Sequence, residues 1–172
     1  MQPKVADKIR AEAIAVAGSG PIEFDHVKRL TYARNVFKEA LRLYPPITFI
    51  PRVAAEATQI GAKKIKRGTM VMIAPWAVHR HQALWPNPDA FDPDRFLPER
   101  EHEIIPGSYI PFGAGPRVCV GAAFATTEAT LILARILRTY RIDVQHPEHV
   151  RPVARLTTRP AQEVRMKVAL YV

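Results

Sequence analysis

The sequence predicts a mainly α-helical chain with a small β component, an α+β arrangement that is not a barrel. Three observations predict it. Eleven of the sixteen prolines fall between Pro45 and Pro116, leaving residues 22–44 and 117–146 free of proline and open to long helices. Apolar residues in the first of these windows recur three or four apart, as on one face of a helix. Between Arg52 and Ile73, β-branched and small residues instead alternate with polar ones.

The elements follow in order. A first helix is expected from Pro3, suited to a first turn, to Ala17, with Gly18 as its left-handed stop. A second should open at Asp25 as N-cap and carry Val27, Leu30, Ala33, Phe37, Ala40, Leu41 and Tyr44 before Pro45-Pro46 end it. Two or three short strands are expected from Arg52 to Ile73, then a short helix over Trp76 to Leu84. Loop follows to Pro116; an irregular stretch as long as 85–116 is uncommon unless it holds something. The last helix should run from Gly121 to Tyr140, and its apolar body, Leu131-Ile132-Leu133-Ala134, implies burial on most sides. The tail from Gln145 to Val172 reads as a β-hairpin.

A length of 172 residues, 48% hydrophobic and 24% charged, suffices for one packed core, so residues 1–172 are one domain or one piece of one. The composition excludes a collagen, a disordered tail and a disulfide scaffold. No apolar run approaches the roughly 20 residues of a membrane span, and Lys4, Asp7, Lys8, Arg10 and Glu12 are unlike a signal peptide. The net charge of +9 raises nucleic-acid binding, yet the densest basic run, Lys63 to Arg67, lies in an expected hairpin turn and the other cations interleave with carboxylates. A solvated surface or an acidic protein partner accounts for the excess.

The only cysteine, Cys119, cannot form an intrachain disulfide, so it is a packed core residue or a chemically used thiol. It sits directly ahead of the last helix, in Pro111-Phe112-Gly113-Ala114-Gly115-Pro116-Arg117-Val118-Cys119-Val120-Gly121. The positive end of the helix dipole and the Arg117 charge suit a metal-ligating thiolate there. Glycines at 113, 115 and 121 let backbone approach a ligand closely. A nucleophilic cysteine would need a positioned base, and no spacing brings His79 or His81 to it. Zinc fits poorly, because one Cys with His79-Arg80-His81 lacks the spacing of a closed tetrahedral site.

The string Phe112-Gly113-x-Gly115-x-Arg117-x-Cys119-x-Gly121-x-x-x-Ala125 resembles the haem-binding signature of the cytochrome P-450 superfamily. Glu39-Ala40-Leu41-Arg42, followed by Leu43-Tyr44-Pro45-Pro46, is similar to the E-x-x-R of its K helix. Phe91-Asp92-Pro93-Asp94-Arg95-Phe96 resembles its P-E-R-F segment, with Asp94 in place of the usual Glu. The resemblance implies the C-terminal part of that fold, from the J helix onward, with K and L helices, short strands and the cysteine ligand loop.

It further implies haem b (iron protoporphyrin IX) as cofactor and Cys119 as the catalytic, iron-ligating thiolate. Pro111, Phe112, Gly113, Arg117, Val120, Gly121 and Ala125 would form the cofactor site. Arg117 and Arg52 would pair with the haem propionates, for which a guanidinium fork is suited. Glu39, Arg42 and Arg95 become a buried charge network beneath the haem. Ile47, Thr48, Phe49 and Ile50 would line one wall of a substrate pocket, and residues 154–158 the other. His79-Arg80 resembles an H-R-D segment, but His81 and Gln82 depart from the pattern, so His79 is read as structural. The implied activity is monooxygenation of a small hydrophobic substrate, with electrons from a ferredoxin or flavin reductase docking on a basic side. The resemblance leaves out the N-terminal half with its I helix, so exposed apolar faces are expected on the last helix. A non-catalytic haem-binding or interaction module is the alternative. Neither nucleic acid nor a membrane segment is implied, and a reduced thiol points to the cytoplasm.

Overall fold

In the computed structural model, which describes residues 2–155 and 157–171, helix α1 spans Pro3–Ala17. Pro3 stands in its first turn, and Gly18, at φ 57°, ends it with its N–H on the Ile14 carbonyl at 2.8 Å. Val5, Ile9 and Ala13 recur every four residues and are buried, so they form the stripe that faces the core.

The second helix is broken where the sequence predicts continuity. Phe24–Arg29 forms a 3-10 turn, Leu30 leaves helical geometry at φ −82° and ψ 61°, and α2 runs over Thr31–Leu43. Its start is fixed from α1 rather than by Asp25. Glu12 Oε1 accepts from the Tyr32 N–H at 2.6 Å and the Thr31 hydroxyl at 3.0 Å, and Oε2 from the Ala33 N–H at 2.9 Å. A carboxylate on these free donors also complements the helix dipole. The break swings Leu30 into the core, where it is fully buried.

The expected helix over 76–84 is one turn, α3 (Pro75–Val78); beyond it the N–H groups of Leu84 and Trp85 both turn back to the His81 carbonyl. Helix α4 occupies Ala122–Thr139; the burial on most sides that its apolar body implies does not hold, whereas the exposed apolar face that the resemblance implies is present. Only Thr130, Ala134 and Leu137 are fully buried, while Phe124 is 71% exposed and Ile132 and Ile136 are also open. The reason is that α1 and α2 pack against one face of α4 and leave the opposite apolar face uncovered.

The core lies between α1, α2 and α4: Ile9, Ile22, Leu30, Ala33, Ala134 and Leu137 meet there. Two arginines of α4 fasten the connection after α1. Arg135 donates through Nε and Nη2 to the Ile22 carbonyl at 3.0 and 2.6 Å, and Arg138 Nη1 donates to the Gly20 carbonyl at 2.6 Å.

The strands form four antiparallel pairs. β1 (Ile50–Val53) pairs with β4 (Met70–Ile73), and β2 (Thr58–Ile60) with β3 (Lys63–Ile65), one strand more than the largest number expected. The tail is two nested pairs rather than one hairpin. β5 (Tyr140–Val144) continues from α4, where Tyr140 turns extended at φ −121° and ψ 138°, and pairs with β8 (Met166–Leu170). Inside it β6 (Pro152–Ala154) pairs with β7 (Thr158–Pro160). The expected mixed α+β class is the observed one. Among the described residues, no helix is long and apolar enough to cross a membrane.

Candidate functional site

The three helices support a charged knot at the C-terminal half of α2. Glu39 and Arg42, three residues apart, present to the same face, and both are fully buried. Arg42 uses all five of its N–H donors: Nε and Nη2 on the Glu39 carboxylate, Nη1 on the His79 and Pro88 carbonyls, and Nη2 also on the Ala90 carbonyl. One guanidinium thus ties down the start of the long irregular segment. Arg95, on a 3-10 turn over Pro93–Phe96, reaches Glu39 Oε1 through Nε at 3.4 Å and the Asn87 carbonyl through Nη2 at 2.9 Å. Glu39 Oε1 also accepts the Asp92 N–H at 2.9 Å.

His79 carries this order to the cysteine loop. Its Nε2 accepts the Ile110 N–H at 2.8 Å, so the proton resides on Nδ1, which donates to the Arg42 carbonyl at 3.2 Å. Burial lowers its pKa to about 4, helped by the Arg42 and Arg80 charges and opposed by its bond to the Arg42 carbonyl. Tyr109 stacks on the imidazole with ring centroids 5.5 Å apart and donates its hydroxyl to the Lys38 carbonyl at 2.9 Å. Burial pushes that hydroxyl's pKa up.

From Ile110 the loop folds back on itself. Gly113 donates to the Ile110 carbonyl at 3.1 Å, and the Cys119 N–H meets the Phe112 carbonyl at 2.9 Å. Gly113 sits at φ 80°, a conformation that strains any side chain, and a methyl built on it would stand 3.8 Å from the Arg117 carbonyl and 3.9 Å from Ile50 Cδ1. The start of β1 thus lies over the loop. Cys119 is exposed, three residues ahead of α4, and its carbonyl accepts the Ala122 N–H at 3.3 Å. A Cβ built on Gly121 would be 3.8 Å from its sulfur. Arg117 and Val120 are exposed, Pro111, Phe112 and Gly121 half-buried, and the Ala125 N–H closes the first turn of α4 on the Gly121 carbonyl. Arg52 is exposed on β1, and its Nη1 donates to the Pro51 carbonyl at 2.9 Å.

Thr48 and Phe49 meet Ala154 and Thr158 around a cavity of 300 Å³ that also takes in Trp76 and Pro152. Thr158 holds the two sides together, its N–H on the Pro46 carbonyl and its hydroxyl on the Pro45 carbonyl, both at 2.8 Å. Ile47 is exposed, and Ile50 is directed at the cysteine loop instead. Leu156, within the expected second wall, lies outside the described residues. Sequence reasoning missed Glu12, Trp76 and Tyr109. No motif flags them, because each acts through a contact distant in the chain.

A model of the family described as Cytochrome P450 matches residues 1–168. The chain belongs to the cytochrome P450 family. This P450 chain is 43% identical over 150 residues to cyclooctatin synthase of Streptomyces melanosporofaciens, covering 87% of itself and 33% of that protein. It is 32% identical over 166 residues to pentalenene oxygenase of Streptomyces avermitilis, covering 96% of itself and 37% of the relative. The crystal structure of the cytochrome P450DA heme domain superposes with a TM-score of 0.90 at 33% identity, over 99% of this chain and 38% of that one. The P450 chain thus spans about a third of the length of the curated relatives it matches.

Proposed function

We propose that this P450 chain is the haem-ligating part of a haem-thiolate monooxygenase that inserts one oxygen atom from O2 into a small hydrophobic substrate. The observation that carries the reading is the exposed Cys119, presented ahead of α4 by a loop that His79 and the Glu39–Arg42 pair brace from behind. The donor set fits haem b: one soft sulfur ligand, two exposed arginines at 52 and 117 for carboxylates, and apolar residues at Val120, next in sequence, and Phe112, whose carbonyl holds the Cys119 N–H. When bound, haem iron with a thiolate ligand supplies the oxygen-activating redox chemistry.

This chain's residues do the remaining work. Arg52 and Arg117 would pair with the propionates, Phe112 would shield the sulfur from water, and Pro111, Gly113, Gly121 and Ala125 would shape the loop that presents it. Thr48 and Phe49 on one side and Ala154 on the other exclude water from a hydrophobic substrate. The name of the relative pentalenene oxygenase is in keeping with an oxygenation of that kind. A groove of 440 Å³ between α2 and α4, lined by Arg34, Lys38 and Phe112, suits an acidic ferredoxin or flavin reductase as electron donor.

The test is reconstitution with haemin, reduction, and spectra with and without carbon monoxide, beside Cys119→Ser. A thiolate-type carbonyl band that vanishes in the variant is expected; ordered haem uptake that survives the variant unchanged removes Cys119 as the ligand. A non-catalytic haem-binding module is the second reading, favoured by the uncovered apolar side chains of Val120 and Phe124 beside the ligand loop. Haem capture without product from any oxidant selects it.

A further inference from the structure

The geometry points to a second, separate metal site: His146, Glu148 and His149 form a three-ligand site for a divalent transition metal such as zinc or nickel. Nothing in the haem reading enters it, and Cys119 is on a different loop.

The donors converge because of the local backbone. Pro147–His149 is a 3-10 turn entered from His146 in left-handed geometry at φ 51° and ψ 54°, and the His149 N–H returns to the His146 carbonyl at 3.0 Å. The left-handed His146 and the turn after it bring the two imidazoles together, with centroids 5.5 Å apart and planes 15° from parallel. Glu148 stands between them. His146 Nδ1 lies 3.4 Å and His149 Nε2 3.7 Å from the same oxygen, Glu148 Oε1, and all three donor atoms lie within 4.8 Å of one another. Two ligands about 2.0 Å from a tetrahedral ion stand about 3.3 Å apart, so both histidine nitrogens already lie near that distance from the carboxylate oxygen, and an exposed imidazole turned out of the stack aims its lone pair at the ion.

Two imidazoles and one carboxylate select zinc, nickel or copper over magnesium or calcium, which prefer all-oxygen sites. The side chains are 62–76% exposed, so an ion reaches them directly from solvent and a fourth position remains for water. The turn is tied down rather than free. The Gln162 amide donates to the His149 carbonyl, the Val150 N–H meets the Pro147 carbonyl at 3.2 Å, and Ala161 donates to Arg151 at 2.8 Å. These bonds connect the turn to the β6–β7 hairpin, so an ion bound here would stiffen the base of that hairpin.

Zinc chloride titrated calorimetrically into the 172-residue chain carrying Cys119→Ser, which removes the thiol as a competing ligand, tests the site. One equivalent should bind, with no response to magnesium. His146→Ala and His149→Ala, each added to that background, should weaken zinc by about tenfold or more, since each removes one of three ligands. Far-ultraviolet circular dichroism should not change, because both side chains are exposed. In parallel, zinc should shift the imidazole nitrogen resonances of His146 and His149 and leave buried His79 in place. Equal zinc affinity in both histidine variants, absence of a saturable first equivalent, or shifts confined to other histidines would overturn the site and leave two imidazoles merely sharing a carboxylate.

Discussion

Glu39 grips Arg42 along two edges, Oε2 to Nε at 2.7 Å and Oε1 to Nη2 at 2.8 Å, with neither side chain exposed. A pair so dry is costly to separate. Glu39→Ala would strand the Arg42 and Arg95 charges without a counterion, a loss on the order of 3–5 kcal/mol. Arg42→Lys keeps the charge but offers three donors where five are used, so it should also destabilise strongly. Urea unfolding of both variants measures this, and in both the cysteine loop should lose ordered haem uptake. A Glu39→Ala chain of full stability would show that the pair does not brace the loop.

His79 makes stability pH-dependent in a defined direction. Its folded pKa of about 4 lies below the ordinary 6.5, so between those values the unfolded chain binds more protons than the folded one. Stability from this group is therefore complete above about pH 6.5 and lost as pH falls toward 4, by about 3 kcal/mol in all. Protonation puts an N–H on Nε2 directly against the Ile110 N–H, so the connection to the cysteine loop fails with it. His79→Gln should be less stable at neutral pH and show a shallower slope over that window. An unchanged slope would assign the pH dependence to the carboxylates instead.

What could be read from the chain and what could not divide along sequence distance. Pro3, Gly18 and the apolar spacing of Val5, Ile9 and Ala13 specify α1 with local information, and its predicted bounds are the observed ones. The proline-free run after Arg117 likewise marks α4 to within a residue at each end. Asp25 misled because an acceptor at the head of an apolar run is what a cap looks like, whereas the acting cap is Glu12, nineteen residues from Thr31. The apolar body of α4 overstates its burial, because apolar periodicity reports what a face would bury and not whether a partner is packed there; its exposed face follows instead from the resemblance, which leaves out half of the fold. Around the cysteine loop, Glu39, Arg42 and Cys119 stand out as motifs. The carbonyls of His79, Pro88 and Ala90 do not, since every residue has one and only the fold decides which three meet Arg42.

The capping role of Glu12 is separable from charge. Glu12→Ala removes acceptors from the Tyr32 and Ala33 N–H groups at the head of α2, which should cost about 1–2 kcal/mol. Glu12→Gln retains one carbonyl oxygen and loses the attraction of the helix dipole, so it should fall between the two. Urea midpoints rank the three chains, and hydrogen exchange at Tyr32 and Ala33 should speed in Glu12→Ala. Exchange that stays slow there would mean the first turn of α2 is held by packing alone.

Thr158 fastens the β6–β7 hairpin to Pro45-Pro46 through both its N–H and its hydroxyl, and that junction is where Thr48 and Phe49 meet Ala154. Thr158→Val preserves shape and the backbone bond but leaves the Pro45 carbonyl without its hydroxyl partner. The expected loss is about 1 kcal/mol, the usual net worth of such a bond. Its signature should be local: faster hydrogen exchange at Thr158 and across β6 and β7, with α1 and α2 unaffected, because their core lies elsewhere. A Thr158→Ser chain restores the hydroxyl and should restore slow exchange. If serine and valine behave alike, the backbone bond to Pro46 alone holds the two walls together.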